Sequence, residues 1–85
     1  SIYILDGIHM TDLSAAHQYI ARILRLPEYY GENLDALYDC LTDMTGEICL
    51  YRASLMRRSL NVYADQLLRV LHDARSDRLT VTVID

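Results

Sequence analysis

The stretch LPEYYGENLDALYDCLT, residues 26–42, decides where a helix of this chain begins and which of its faces is polar. Pro27 and Gly31 disfavour a helix in the first residues, and Asn33 is a favourable N-cap for a helix that starts at Leu34. At about 100° per residue, apolar side chains fall on one face of that helix and carboxylates on the opposite face. The apolar face comprises Leu34, Leu37, Leu41 and Met44, flanked by Tyr38 and Cys40.

Acidic residues dominate this part of the chain, and no Lys or Arg stands between Arg25 and Arg52. The carboxylates of the region are Glu28, Glu32, Asp35, Asp39, Asp43 and Glu47. On the helix, Asp39 and Asp43 are spaced to repel each other by roughly a few tenths of a kcal/mol. A solvated acidic face is the simplest interpretation of such a run. The adjacent tyrosines at 29 and 30 and the lack of basic neighbours favour a face that binds a cationic partner.

Composition is typical of one small folded domain over residues 1–85, with 52% apolar residues. The formal charge of −4 argues against nucleic acid or an anionic membrane as a partner. No apolar run approaches the roughly 18 residues that a membrane-spanning helix needs. No signal peptide is visible, so we expect a cytoplasmic protein.

Strands and helices alternate along the chain, which predicts an α/β fold with a small three-stranded parallel sheet packed with about four helices. Strands are predicted at 2–5, 48–51 and 79–84, and helices after Thr11 or Asp12, after Asn33, after Ser54 as far as Leu60, and after Asn61. The first two strands are continuously apolar, which predicts burial on both faces of the sheet.

The sequence offers no convincing catalytic or metal site. His17 lies at the edge of the first helix's apolar face and is interpreted as a packing residue. No histidine pair has zinc-ligand spacing, and one helix face cannot surround a cation, so we predict no metal and no cofactor. Cys40 and Cys49 are interpreted as reduced, buried thiols. Paired carboxylates are used by hydrolases, but no opposing group or nucleophile can be named, so we predict that the chain is not an enzyme.

Residues 26–42 resemble the signature segment of the barstar family, intracellular inhibitors of the secreted bacterial ribonuclease barnase. The resemblance lies in LPEYYGENLDAL followed by an aromatic residue and DCLT. Weaker similarity covers the whole chain, including Asp6-Gly7 after the first strand and His17-Gln18 in the first helix. It implies a single barstar-like domain and a 1:1 complex with a cationic secreted ribonuclease or a ribonuclease toxin domain.

The resemblance further implies that the acidic helix and the loop before it enter the nuclease's active-site cleft. Asp39 matches the family's phosphate-mimicking acid, and Tyr29 matches the aromatic residue that packs over the catalytic histidine. Asp73 matches a position that is Glu in the family. The partner-binding residues implied in this way are Tyr29, Tyr30, Gly31, Asn33, Asp35, Tyr38, Asp39, Thr42, Asp43, Met44 and Asp73.

The chain also departs from the family pattern. Tyr38 and Met44 stand where the family has tryptophans, and the segment after Met44 is shorter. These departures leave the target open among a barnase-like enzyme, another guanyl-specific ribonuclease and a ribonuclease toxin domain for which the chain is the immunity protein. The alternative is a barstar-like immunity or interaction module for a different, non-barnase partner.

Overall fold

Three short strands form a parallel sheet in the order β1-β2-β3. The structure is a computed structural model that describes all residues, 1–85. The strands are β1 (Ile2–Asp6), β2 (Gly46–Tyr51) and β3 (Leu79–Val83), and the helices are α1 (Leu13–Leu24), α2 (Leu34–Thr42), α3 (Ala53–Leu60) and α4 (Val62–Asp73). A short 3-10 turn, Gly7–His9, follows β1. The predicted α/β fold with three parallel strands and four helices is confirmed.

The helices cover one face of the sheet and leave the other open. Two consecutive right-handed crossovers in a sheet of sequential strand order bring their helices to the same side. Leu5, Ile48 and Leu50 are accordingly buried, whereas Ile2 and Ile4 remain 64% and 54% exposed. On β2 the same open face carries the half-buried Cys49 and Tyr51, which is 39% exposed. The prediction of burial on both faces was therefore wrong for β1 and β2, because apolar composition alone does not reveal on which side the connecting helices pack.

Local sequence explains the starts of α1 and α2. The Asp12 side chain accepts a hydrogen bond from the Ala15 N–H at 2.8 Å, and the Asn33 side chain accepts one from the Ala36 N–H at 2.8 Å. Each bond satisfies an amide that the helix leaves unpaired at its first turn. Both predicted N-caps are confirmed, and for α1 the structure selects Asp12 rather than Thr11.

The starts of α3 and α4 differ from the prediction. Ser54 lies inside α3, which begins after Arg52 without a side-chain cap. Asn61 is the one residue between α3 and α4, and its φ of 55° and ψ of −126° turn the chain between the two helices. An N-cap needs extended backbone, so Asn61 does not cap α4 with its side chain.

One hydrophobic core unites these elements. It lies between the helices and the covered face of the sheet, and its largest fully buried side chains include Leu5, Met10, Ile20, Leu37, Leu41, Ile48, Leu50, Met56, Leu67, Leu71 and Leu79. Cys40 and Cys49 are half-buried, unpaired thiols rather than fully buried ones. None of the helices has the length and apolar character needed to cross a membrane.

Candidate partner-binding site

Helix α2 divides its surface between the core and the solvent. Leu37 and Leu41 are fully buried, and α2 packs against α4. The exposed residues of α2 and its C-cap are Asp35, Tyr38, Asp39, Thr42 and Asp43. At 100° per residue these positions span an arc of about 140°, so the predicted contact residues of this helix share one face.

The connecting loop, residues 25–33, brings two adjacent tyrosines to opposite environments. Tyr29 is 88% exposed, whereas Tyr30 is only 8% exposed. The Tyr30 N–H donates to the Pro27 carbonyl at 2.9 Å, which closes a turn at this point. Both tyrosines were predicted to lie in the contact surface. In the structure the Tyr29 side chain is exposed, whereas the Tyr30 side chain points into the protein interior. The sequence did not indicate this difference, since side chains in a turn do not follow a helical or strand period.

The loop then reaches α2 through a constrained backbone. Glu32 has a φ of 53°, in the left-handed region that non-glycine residues rarely occupy. The Asn33 side chain donates to the Gly31 carbonyl at 3.2 Å while its oxygen caps α2. Asn33 therefore fixes the path of Gly31 and the start of the acidic helix at the same time.

The buried imidazole of His17 forms a hydrogen bond with the Tyr30 side chain inside the protein. His17 of α1 is 1% exposed, and its Nδ1 lies 2.6 Å from the Tyr30 hydroxyl. Its Nε2 lies 2.6 Å from the hydroxyl of Tyr63, on α4. We call His17, Tyr30 and Tyr63 the imidazole cluster. His17 was predicted to be a packing residue, but its hydrogen bonds beneath the loop were not predicted. They could have been expected from its place near the apolar face of α1, because a buried histidine needs hydrogen-bond partners.

Burial controls the ionisation of the imidazole cluster. Desolvation lowers the pKa of His17, and the Glu32 carboxylate opposes this shift. Desolvation also raises the pKa of Tyr30 and Tyr63. On α2, burial raises the pKa of the Cys40 thiol, and the neighbouring Asp39 and Asp43 charges add to the effect. The cluster is therefore neutral near pH 7, and Cys40 is a poor nucleophile there.

The acidic side chains around α2 have no cationic partner within the chain. Glu28, Glu32, Asp35, Asp39 and Asp43, which we call the acidic surface, are all exposed. The ion pairs of the fold lie elsewhere, joining Arg52 to Asp6 and Arg57 to Asp85. The sixth carboxylate of the sequence run, Glu47, belongs to β2 and lies opposite Ile2 and Thr80 on the open face of the sheet.

Four other predicted residues have distinct positions. Thr42 donates its hydroxyl hydrogen to the Asp39 carbonyl at 2.7 Å, so its side chain lies along the end of α2. Met44 lies just beyond the helix and is half-buried against the core. Tyr38 is 40% exposed. Asp73 is the last residue of α4, the helix that packs on α2, and its carboxylate lies 3.4 Å from the His72 ring.

The chemistry of this site is that of an acceptor surface. Carboxylates accept charge-assisted hydrogen bonds from Arg, Lys and protonated His, and an exposed tyrosine ring adds area for packing. No group of three or more His, Cys, Asp or Glu residues converges in the way a metal ion would require.

Comparison with known proteins links this chain to a described family. The family model described as "Barstar (barnase inhibitor)" matches residues 1–84. A protein of Bacillus subtilis (strain 168) named "Putative ribonuclease inhibitor YrdF" is 35% identical over 77 residues, which cover 87% of this chain and 85% of that protein.

Proposed function

Since this chain belongs to the barstar family, we propose that it inhibits a ribonuclease by covering the active-site cleft with α2 and the connecting loop. The family description and the name of the Bacillus subtilis relative support a ribonuclease-inhibitor role. The blocked enzyme in this proposal is barnase-like or another guanyl-specific ribonuclease, or the ribonuclease domain of a toxin, bound as a 1:1 complex.

The observation that carries the proposal is the acidic surface, which is exposed and has no ion pair within the chain. Like charges on one helix face destabilise the isolated fold slightly. A ribonuclease presents cationic groups to the phosphate that it cleaves. A carboxylate placed in that cleft takes the position of the phosphate, and its charge-assisted hydrogen bonds are strong because the cleft is desolvated.

Within this proposal, each exposed residue has a role. Asp39 occupies the phosphate position, and Asp35 and Thr42 make the flanking polar contacts. Tyr29 packs its ring over the enzyme's catalytic histidine, and the exposure of Tyr29 in the connecting loop suits this role. Gly31, Asn33, Tyr38, Asp43, Met44 and Asp73 surround this centre. Tyr30 supports the loop from inside, rather than forming a contact of its own.

The proposed function also implies a cellular location. An inhibitor of a secreted nuclease or toxin protects the producing cell before the enzyme leaves, which requires that the inhibitor is cytoplasmic. Two unpaired thiols, Cys40 and Cys49, suit a reducing compartment, where disulfides are rare.

The test is inhibition of RNA cleavage by a panel made of a barnase-like enzyme, another guanyl-specific ribonuclease and a ribonuclease toxin domain. The wild-type chain should abolish the activity of one of them at equimolar concentration, and Asp39→Asn should weaken inhibition at least about a hundredfold. Asp65→Asn is the matched control, since it removes one exposed charge near the start of α4, about 12 Å along the helix axis from Asp73. Equal inhibition by both variants would refute the role of Asp39, and failure to inhibit any member would favour a non-barnase partner.

A further inference from the structure

The imidazole cluster joins three elements that are distant in sequence. His17 on α1 bonds to Tyr30 in the connecting loop and to Tyr63 on α4, each at 2.6 Å. The hydrogen bonds of loop residues 27–33 otherwise close turns within the loop or lead into α2. The bond from Tyr30 to His17 is therefore the one hydrogen bond that fastens the tip of the loop to the body of the fold.

Hydrogen-bond counting determines which atom donates in each bond. A neutral imidazole has one N–H and one lone pair, so one tyrosine must donate to His17 and the other must accept from it. Tyr30 is buried with no second partner, so its hydrogen is satisfied if it is donated to Nδ1. Tyr63 is half-buried, so its oxygen can accept from the Nε2–H while its own hydrogen faces water. His17 is accordingly the Nε2–H tautomer.

We propose that Tyr63, acting through His17, is a positioning residue for partner binding, because it holds the imidazole in the tautomer that fastens the connecting loop. This inference rests on the proposed function for its link to affinity, but not for its link to loop geometry. Tyr63 lies on α4, outside the predicted contact surface. Removing its hydroxyl leaves the Nε2–H without a protein partner. The alternative tautomer would carry its hydrogen on Nδ1, which faces the Tyr30 hydroxyl. The buried hydrogen of that hydroxyl would then have no acceptor.

Protonation of His17 should release the loop in the same way. A second N–H at Nδ1 would face the Tyr30 hydroxyl, which would have to turn its hydrogen toward apolar surroundings. The titratable groups around the cluster are Tyr30, Tyr63 and the Glu32 carboxylate, with Cys40 close to Tyr30. Among them, ionised Glu32 alone favours the protonated imidazole, and burial outweighs it. Affinity should therefore fall with acid in wild type, because the fastened loop is lost.

The experiment combines nuclear magnetic resonance on the free protein with affinity measurement. Nitrogen shifts of the imidazole report the His17 tautomer, and backbone relaxation reports the rigidity of residues 28–33. Wild type should show the Nε2–H tautomer and loop order parameters near about 0.85. Tyr63→Phe should lower those order parameters toward about 0.6 and weaken ribonuclease binding about three- to tenfold, the worth of one hydrogen bond. The β2 amides should be unchanged, which separates loop release from general unfolding.

Tyr51→Phe is the matched control, because it removes a hydroxyl on the open face of the sheet. Tyr30→Phe should reproduce the loop release of Tyr63→Phe, and it serves as a second route if one variant folds poorly. The Nδ1–H tautomer in wild type, or equal loop rigidity in Tyr63→Phe and Tyr51→Phe, would overturn the inference. The nitrogen shifts and the relaxation data are measured on the free protein and need no nuclease. Failure to inhibit any ribonuclease would therefore refute the proposed function alone, and the spectra would still test the positioning role of Tyr63.

Discussion

The two sides of the segment 27–43 differ in their environment, because one is exposed and the other is buried. The outer side, with Tyr29, Asp35 and Asp39, is exposed and has no ion pair with the rest of the chain. The inner side, with Tyr30 and Leu37, is buried against His17 and the core. One stretch of sequence therefore combines a buried face that stabilises the fold with an exposed face that is proposed to bind the partner, so substitutions on the two sides should separate binding from stability.

The largest effect should come from Asp39→Ala on the outer side. Truncating one partner of a buried charge pair costs about 2–5 kcal/mol of binding, because the other charge stays desolvated and unpaired. The barnase–barstar pair is itself among the systems behind that range, so its size is carried over from the family. Titration calorimetry with the inhibited ribonuclease should show this loss, while urea unfolding of the free variant should show unchanged or slightly raised stability. A variant that loses stability along with affinity would break the separation of the two sides.

The next largest effect should come from Leu37→Ala on the inner side. Leu37 is fully buried in the core, and such a truncation typically costs about 2–5 kcal/mol of folding free energy, as transfer and cavity terms add. Urea unfolding should show a lower midpoint. Under conditions where the variant is still folded, its affinity should remain close to that of wild type. A large loss of affinity at undiminished stability would mean that Leu37 faces the partner.

Replacing Asn33 should affect both sides moderately. Asn33→Ala removes the N-cap of α2 and the bond to the Gly31 carbonyl, which should cost about 1 kcal/mol of stability. Binding should weaken by a similar amount, because the same residue sets the path of the loop. Asn33→Asp restores the cap and should recover most of the stability. Full stability in Asn33→Ala, measured by urea unfolding, would contradict the importance of this cap.

Acid should weaken the inner side through His17. Burial holds the pKa of His17 below its usual value of 6.5, so the unfolded chain takes up a proton at a higher pH than the folded chain. Stability should therefore fall as the pH drops from about 6.5 toward the folded-state pKa. Arg52 lowers the pKa of Asp6 from 3.8, so that carboxylate acts only in a more acidic window. Urea unfolding between about pH 8 and pH 5 should show the slope in wild type and not in His17→Gln.

The smallest effect should come from Asp43→Asn, at the edge of the acidic surface. A screened charge at the rim contributes at most about 1 kcal/mol, so affinity should change little and mainly through slower association. Stability should rise by roughly a few tenths of a kcal/mol as repulsion from Asp39 is relieved. Losses equal to those of Asp39→Ala would show that the helix enters the cleft in a different orientation.

Structural features that depend on neighbouring residues could be predicted from the sequence, whereas features that depend on contacts between distant residues could not. The start of α2 follows from Asn33 and the residues after it, and its two faces follow from helical period. The opposite directions of Tyr29 and Tyr30 depend on a turn and on a histidine in α1. The contact between His17 and Tyr63 spans 46 residues, and no local pattern announces it. The turn at Asn61 likewise depends on how α3 and α4 pack.

In the proposed function, the acidic surface lacks ion pairs within the chain because it binds a cationic partner. Stopped-flow mixing with the inhibited ribonuclease across a salt series tests it most directly, using the nuclease's fluorescence, since this chain has no tryptophan. Association should be fast at low salt and slow markedly as the Debye length shrinks below about 10 Å, whereas dissociation should change far less. An association rate that does not respond to salt would contradict the claim and leave the carboxylates as an ordinary solvated face.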